Sequence, residues 1–281
     1  MSGLSKDDVE TYRRQGYFAP VDAFSLTEAD QMRRRLEAFE ATLPERPIDR
    51  MNRRKLHVRL PWIHDLVANP KILDAIENLI GSDILVYTST VFVKEPGSAA
   101  ITAWHQDGTC FGLSPSEHVS AWLALSDASE LAGCMRFIPG SHKRGLLRHE
   151  FASDGNYLNY VGQYLPETFS NEEAQSAPLR AGQFSLHDTA AIHASEPNAS
   201  CDRRIGLGIS YIPAYVAHTG SRRMSATLVR GTDRFGHFDL EPDPRIISVD
   251  HAQASHELAY SRYRECWDEQ MRQSMLKTQL N

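Results

Sequence analysis

Two hydrophobic periodicities divide the chain. Through the first eighty or so residues, apolar positions recur at helical spacing between capping signals. Ser5 precedes a helical run at 6–15, Thr27-Glu-Ala-Asp30 has the form of a capping box opening a helix over 28–43, and Asn69-Pro70 and Gly81 bracket another at 71–80. From residue 84 the pattern changes to short apolar or alternating runs at 84–93, 100–107, 119–125, 135–138, 183–187, 191–194 and 205–212. Gly, Pro, Ser and Asp separate most of them. That pattern predicts an antiparallel β architecture. Residues 145–177 interrupt it with a stretch too long for a hairpin turn and rich in Tyr, Asn and Glu, the character of a lid or binding loop. Helical spacing returns at 256–276. With no repeats, linkers or low-complexity tracts, the expectation is one domain over 1–281, mainly β with flanking helices. It comprises a helical part at about 1–82, a β core at about 84–216, and a C-terminal loop and helix at about 217–281.

A chain of 281 residues can bury a sizeable core. Its net charge of −6 argues against a general nucleic-acid binder. No apolar run has the length of a membrane span, and the first residues lack the apolar core of a secretory signal. Cys110, Cys134, Cys201 and Cys266 are dispersed without a C-x-x-C pair, as expected for free thiols in a reducing cytoplasm. Cys110 is read as a packing residue.

Candidate chemistry lies in Trp104-His-Gln-Asp107. On a strand, residues i and i+2 share a face, so His105 and Asp107 can approach one metal ion together. The motif alone is weak, because His237-Phe-Asp239 repeats it. Its partners strengthen it: His193-Ala-Ser-Glu-Pro-Asn lies well downstream, followed by Arg203-Arg204. Two imidazoles and a carboxylate leave open positions on a ferrous ion for a 2-oxo acid and O₂, and arginine supplies a planar fork for the acid's distal carboxylate. Alternation selects Arg204. Its face continues through Gly206, Gly208 and Ser210, leaving space for something to approach closely, whereas Ile205, Leu207, Ile209 and Tyr211 share the other face. His187 competes with His193 for the metal, the alternative being a supporting or merely buried histidine. His142 is expected to stabilise a turn.

With these residues in hand, the chain resembles the phytanoyl-CoA dioxygenase family of Fe(II)/2-oxoglutarate oxygenases. The resemblance runs from about Asp7 to Pro213. It includes Tyr12-Arg-Arg-Gln-Gly-Tyr17, Trp104-His-Gln-Asp107, Trp122-Leu-Ala-Leu-Ser-Asp127, Gly133, Ile138-Pro-Gly-Ser-His142, His193-x-Ser195 and Arg204. It implies a double-stranded β-helix (jelly-roll, cupin-like) core with iron inside the barrel. His105, Asp107 and His193 would be iron ligands, and Arg204 would bind the cosubstrate carboxylate. Ser195 and Trp122 would line the same pocket, with Thr102 and Lys94 as weaker candidates. Related halogenases lack the metal carboxylate; Asp107 is present here, so hydroxylation is expected over halogenation. The implied activity is hydroxylation of an unactivated C–H of a small metabolite or natural-product intermediate, with release of succinate and CO₂.

Rival readings are desaturation, cyclisation or alcohol oxidation at the same site, and a non-enzymatic cupin-like metal-binding or sensor protein. A basic run of Arg46, Arg50, Arg53, Arg54, Lys55 and Arg59 is read mainly as a solvated face. Its sharper reading has Lys55 and His57 reaching an anionic substrate group. Arg222, Arg223, Arg230 and Arg234 either enclose the pocket or decorate a surface loop.

Overall fold

The computed structural model describes residues 3–44, 48–49, 51–151 and 163–279, with side chains to residue 273. In chain order the elements are α1 (Lys6–Gln15), β1 (Tyr17–Asp22), α2 (Leu26–Ala41), α3 (Pro61–Val67), α4 (Pro70–Ile80), β2 (Ile84–Lys94), β3 (Thr102–His105), β4 (Leu113–Ser114), β5 (Val119–Ala124) and β6 (Met135–Phe137). There follow β7 (Glu150–Phe151), β8 (Gln163–Tyr164), β9 (Gln175–Ala177), β10 (Gln183–Asp188), β11 (His193–Ser195), β12 (Arg204–Pro213), β13 (Ala217–His218), β14 (Ser225–Arg230), β15 (Asp239–Leu240) and α5 (Val249–Gln279).

A seven-stranded sheet ordered β1-β10-β5-β12-β2-β14-β15 and a four-stranded sheet ordered β3-β11-β6-β9 enclose a cavity lined from both sides, the jelly-roll arrangement. The large sheet also buries its outer face. Ile205, Leu207, Ile209 and Tyr211 of β12 pack with Leu36, Ile63, Ile72 and Ile76 of the N-terminal helices. Intervening residues Arg204, Gly208 and Ser210 line the cavity. One face of β12 thus builds the core and the other the site, the period-two alternation of a strand. Among the described residues, no helix is long and apolar enough to cross a membrane.

Several expected boundaries shift. The second helix is capped by Ser25, whose hydroxyl accepts from the Glu28 amide at 3.2 Å while the Glu28 carboxylate accepts from the Ser25 amide at 2.7 Å. The reciprocal three-residue reach of a capping box fits Ser25-Glu28, and Thr27–Asp30 falls inside the first turn. The N-terminal part is not wholly helical, because Gly16 reverses the chain and β1 pairs with β10 at the sheet edge, where Pro20 is tolerated. The part after residue 217 is not only loop and helix, since β14 joins the large sheet beside β2. α5 begins at Val249 instead of 256. The stretch read as a lid carries β7, β8 and β9, and its middle, 152–162, lies outside the described residues.

The later arginines are held in ion pairs at or near the surface: Arg222 with Glu265, Arg223 with Asp239, and the half-buried Arg230 with Asp74 and Glu77. Arg46 and Arg50 lie outside the described residues. Residues 53–55 behave differently, running along the edge of β2 beyond β14. The Val91 amide donates to the Arg53 carbonyl at 2.8 Å and the Lys55 amide to the Ser89 carbonyl at 2.7 Å. Alternation sends the Lys55 side chain away from the cavity, into a fully buried cluster. Its ammonium lies 2.5 Å from Glu241, which also accepts from Ser225 and Thr227 and faces His57 Nε2 at 3.3 Å. Lys55 and His57 therefore do not reach the cavity; they tie the N-terminal region to the far side of the sheet.

Burial, opposed by Glu241, pushes the His57 pKa down to about 4. The folded chain keeps His57 neutral while the unfolded chain accepts a proton below about 6.5. Stability from this group is complete above pH ~6.5, declines as pH falls, and stops changing below pH ~4. The expected loss is about 1.5 kcal/mol between pH ~6.5 and ~5. Urea unfolding at these pH values checks it: His57→Gln should have a visibly shallower pH slope, and an unchanged slope would refute the assignment.

Candidate active site

Strand pairing sets the two histidines side by side. His193, first residue of β11, is opposite His105, last residue of β3. His105 Nδ1 lies 2.9 Å from the Ala103 carbonyl and 3.1 Å from that of His193; His193 Nδ1 lies 3.0 Å from the Ala191 carbonyl. Only a protonated Nδ1 can donate to a carbonyl, so in the matching tautomer each ring presents its Nε2 lone pair to the cavity. Asp107 is not on the strand as expected. β3 ends at His105 and Asp107 opens the 3-10 turn Asp107–Cys110, which still brings its carboxylate back to the imidazoles. Asp107 Oδ1 lies 3.6 Å from His105 Nε2 and 3.8 Å from His193 Nε2, and the three ligand atoms lie within 4.8 Å of one another. These distances exceed hydrogen bonds, yet the two to Asp107 are within about twice a metal–nitrogen or metal–oxygen bond.

The other carboxylate oxygen is held from behind. Ser120 donates to Oδ2 at 2.7 Å, His187 Nε2 sits 3.1 Å away, and His118 4.0 Å. His187 therefore supports Asp107 and does not replace His193. Burial alone would raise the Asp107 pKa, but the imidazoles of His105, His118 and His187 hold it well below the usual carboxylate value. Burial, and the closeness of the His105 ring, lower the His193 pKa well below its ordinary value. An ionised carboxylate and neutral imidazoles are the forms that bind metals. Ser120 and His118 had no motif to reveal them; the only signal was that Ser120 shares a face of β5 with Trp122.

At the other end of the cavity lies Arg204, 2% exposed, its guanidinium carbon 4.4 Å above the Trp122 ring. Among the described residues no carboxylate lies within salt-bridge distance, and its Nε has no hydrogen-bond partner. Burial lowers its pKa to about 10. A buried guanidinium without an acid partner is costly unless a ligand completes it. Arg203 turns outward to Glu40 and Glu95. The glycine face serves a different purpose from the one expected: a Cβ at Gly206 would overlap the Trp122 indole, and one at Gly208 would press on Phe92. The close approach is that of two aromatic rings, Trp122 beneath Arg204 and Phe92 against Gly208.

Ser195, Trp122 and Thr102 line the cavity with Arg204. Lys94 does not. Its buried ammonium donates to Ser195 Oγ at 2.8 Å and to the carbonyls of Ser195 and Glu196, so it orients Ser195 from outside. Burial and Arg204 lower its pKa to about 7. His142, 3.0 Å from the Arg13 carbonyl, joins the turn at 140–145 to α1, as expected of a structural histidine. The cavity measures about 950 Å³ including the part open to solvent. Its third wall carries Arg54, Phe111, Gln163, Tyr263 and Trp267.

Residues 12–206 match the profile of a family described as Phytanoyl-CoA dioxygenase (PhyH). A relative from Stutzerimonas stutzeri named probable alpha-ketoglutarate-dependent hypophosphite dioxygenase is 28% identical over 56% of this chain and 55% of its own length. This chain therefore spans about half the length of that relative, and 66% of a Caenorhabditis elegans phytanoyl-CoA dioxygenase domain-containing protein 1 homolog at 27% identity. A solved structure named non-heme monooxygenase ThoJ, in its apo form, superposes with a TM-score of 0.82 at 31% identity, covering 94% of this chain and 99% of the other. A non-heme alpha ketoglutarate dependent carbocyclase from nogalamycin biosynthesis superposes with a TM-score of 0.62 at 28% identity, over 78% of this chain and 88% of the other.

Proposed function

The chain belongs to the phytanoyl-CoA dioxygenase family, and from that premise we propose that it is a 2-oxoglutarate-dependent non-haem iron oxygenase acting on a small organic molecule. His105, Asp107 and His193 would hold Fe(II). Arg204, supported by Ser195, Thr102 and Trp122, would hold the cosubstrate's distal carboxylate. One observation carries the reading: a single cavity contains both a converging His-Asp-His donor set and a buried guanidinium with no carboxylate partner among the described residues. Either feature alone has ordinary structural explanations. Together they match the two ends of a metal-chelated 2-oxo diacid.

Iron with bound 2-oxoglutarate supplies the activation of O₂, with succinate and CO₂ as products. The chain supplies position and environment. Backbone carbonyls fix both imidazole tautomers, Ser120 and His187 aim Asp107 Oδ1 at the histidines, and the apolar wall of Trp122, Phe92 and Met135 excludes water around Arg204. Asp107 keeps the metal site tridentate, which favours oxygen insertion over halogenation. Within this reading the outcome is hydroxylation of an unactivated C–H. The relatives' names span dioxygenase, monooxygenase and carbocyclase, so the substrate's pose decides among oxidative outcomes. The biosynthetic setting of the carbocyclase supports a natural-product intermediate as substrate.

Anaerobic Fe(II) titration with 2-oxoglutarate tests the assignment through the visible absorption of the chelate, followed by succinate formation on admitting O₂. Neither signal appearing in pure protein would overturn it. Ser120→Ala should lower Fe(II) affinity about tenfold, measured by chelator competition, because it releases one anchor of the ligating carboxylate.

A further inference from the structure

Between the two proposed ligands His105 and Asp107 lies Gln106, which is fully buried. β3 has ended at His105, and the Gln106 amide finds its acceptor in a side chain: it donates to His149 Nε2 at 2.9 Å. Because Nε2 accepts, the His149 ring proton sits on Nδ1, which lies 2.9 Å from the Leu147 carbonyl and 3.0 Å from the Thr109 hydroxyl. The Gln106 carboxamide grips the same segment. Its Oε1 accepts from the Leu147 amide at 2.7 Å, and its Nε2 donates to the carbonyls of Gly145 at 2.8 Å and Ala190 at 2.7 Å. Leu146 closes the contact, since a Cβ at Gly108 would stand 2.9 Å from its Cδ2. Residues 145–149 thus form a strap fastened to both the backbone and the side chain of the one residue between the two ligands.

The ligands' own partners leave that link open. The carbonyls of Ala103 and His193 fix the His105 ring, and Ser120 and His187 hold the Asp107 carboxylate. Neither pair sets the backbone at Gln106, on which the separation of the two ligand atoms depends. A ligand set has to be held to within about half an ångström. His149 holds this peptide with a ring that is 1% exposed and bonded through both nitrogens.

We propose that His149 is a positioning residue for the metal centre, acting through the Gln106 amide, and that closure of the strap and metal binding favour one another. This rests on the reading of His105 and Asp107 as metal ligands. The coupling is reciprocal: whatever factor the closed strap contributes to metal affinity, bound metal returns to strap closure.

Anaerobic protein tests both directions. Fe(II) affinity is measured by chelator competition and coordination geometry by the visible spectrum of the Co(II)-substituted protein. Strap closure is followed by hydrogen–deuterium exchange over 145–151, with and without Fe(II) and 2-oxoglutarate. In wild type, loading should slow that exchange about tenfold. His149→Leu, which has no acceptor, should weaken Fe(II) binding about ten- to a hundredfold, change the Co(II) spectrum and abolish the slowing. His149→Gln, whose Oε1 offers the amide an acceptor again, should recover most of the affinity and the wild-type spectrum. A ring that only filled space would lower stability in both variants and leave the spectrum alone. A Co(II) spectrum unchanged in folded His149→Leu overturns the proposal, as does loading that leaves wild-type exchange unaltered. Should His149→Leu not fold, the wild-type exchange alone decides. Failure of wild type to bind Fe(II) at all would instead indict the ligand assignment, so the two failures are separable.

Discussion

Asp107→Ala is expected to abolish substrate-dependent succinate formation, reducing it at least about a hundredfold, while leaving the fold in place. The carboxylate is the only anionic donor in the cluster and stands between the two imidazoles, 3.6 and 3.8 Å from their Nε2 atoms. Losing the proposed direct ligand should exceed the ten- to hundredfold cost usual for supporting groups. The backbone around it does not depend on the carboxylate. The turn is held by the Phe111 amide donating to the Gly108 carbonyl, and the Gly108 amide donates to the Thr189 carbonyl. Metal content after gel filtration, succinate yield and circular dichroism separate site loss from misfolding. Asp107→Glu should restore little, because its oxygen would be carried one methylene past the position that Ser120 and His187 define. Wild-type turnover in Asp107→Ala would mean that the metal, if any, is held elsewhere.

How far the site could be read in advance depended on how local each signal was. Arg204 against Arg203 was decided by strand alternation alone, and the structure separates them accordingly: one stacked on Trp122 in the cavity, the other paired with Glu40 and Glu95. The same rule identified space above Gly206 but not its occupant, since Trp122 comes from β5 and only sheet pairing brings it there. Ser120 and His118 were illegible for that reason. Asp107 was found by a rule that does not hold for it; the strand stops short, and a 3-10 turn happens to deliver the same convergence. Arg54 and Lys55 are adjacent and both basic, so composition could not distinguish them. A two-hydrogen-bond extension of β2 sends one into the cavity and the other to Glu241. β14 was overlooked because its flanking arginines suggested a loop, although Ser225–Arg230 alternates well enough to join the sheet.

Replacing Arg204 should move affinity and stability in opposite directions. Arg204→Met removes the fork proposed to hold the cosubstrate carboxylate, and losing charge-assisted bidentate hydrogen bonds should raise the 2-oxoglutarate KM about a hundredfold, with little change in the substrate's. The same substitution takes a buried charge away from a site where, among the described residues, no carboxylate pairs with it. The ligand-free protein should therefore be as stable as wild type or more so, by about 1 kcal/mol, the lost stacking on Trp122 offsetting part of the gain. Arg204→Lys retains the charge but neither the fork nor the stacking plane, and should fall between, near a tenfold rise in KM. Lys94, held down partly by the Arg204 charge, should regain a higher pKa in Arg204→Met. A variant that loses cosubstrate affinity because it is misfolded would lose stability as well, so urea unfolding beside the KM measurement tells the two apart. An unaltered 2-oxoglutarate KM would transfer the anchoring role to another cation of the cavity wall, of which Arg54 is the first to test.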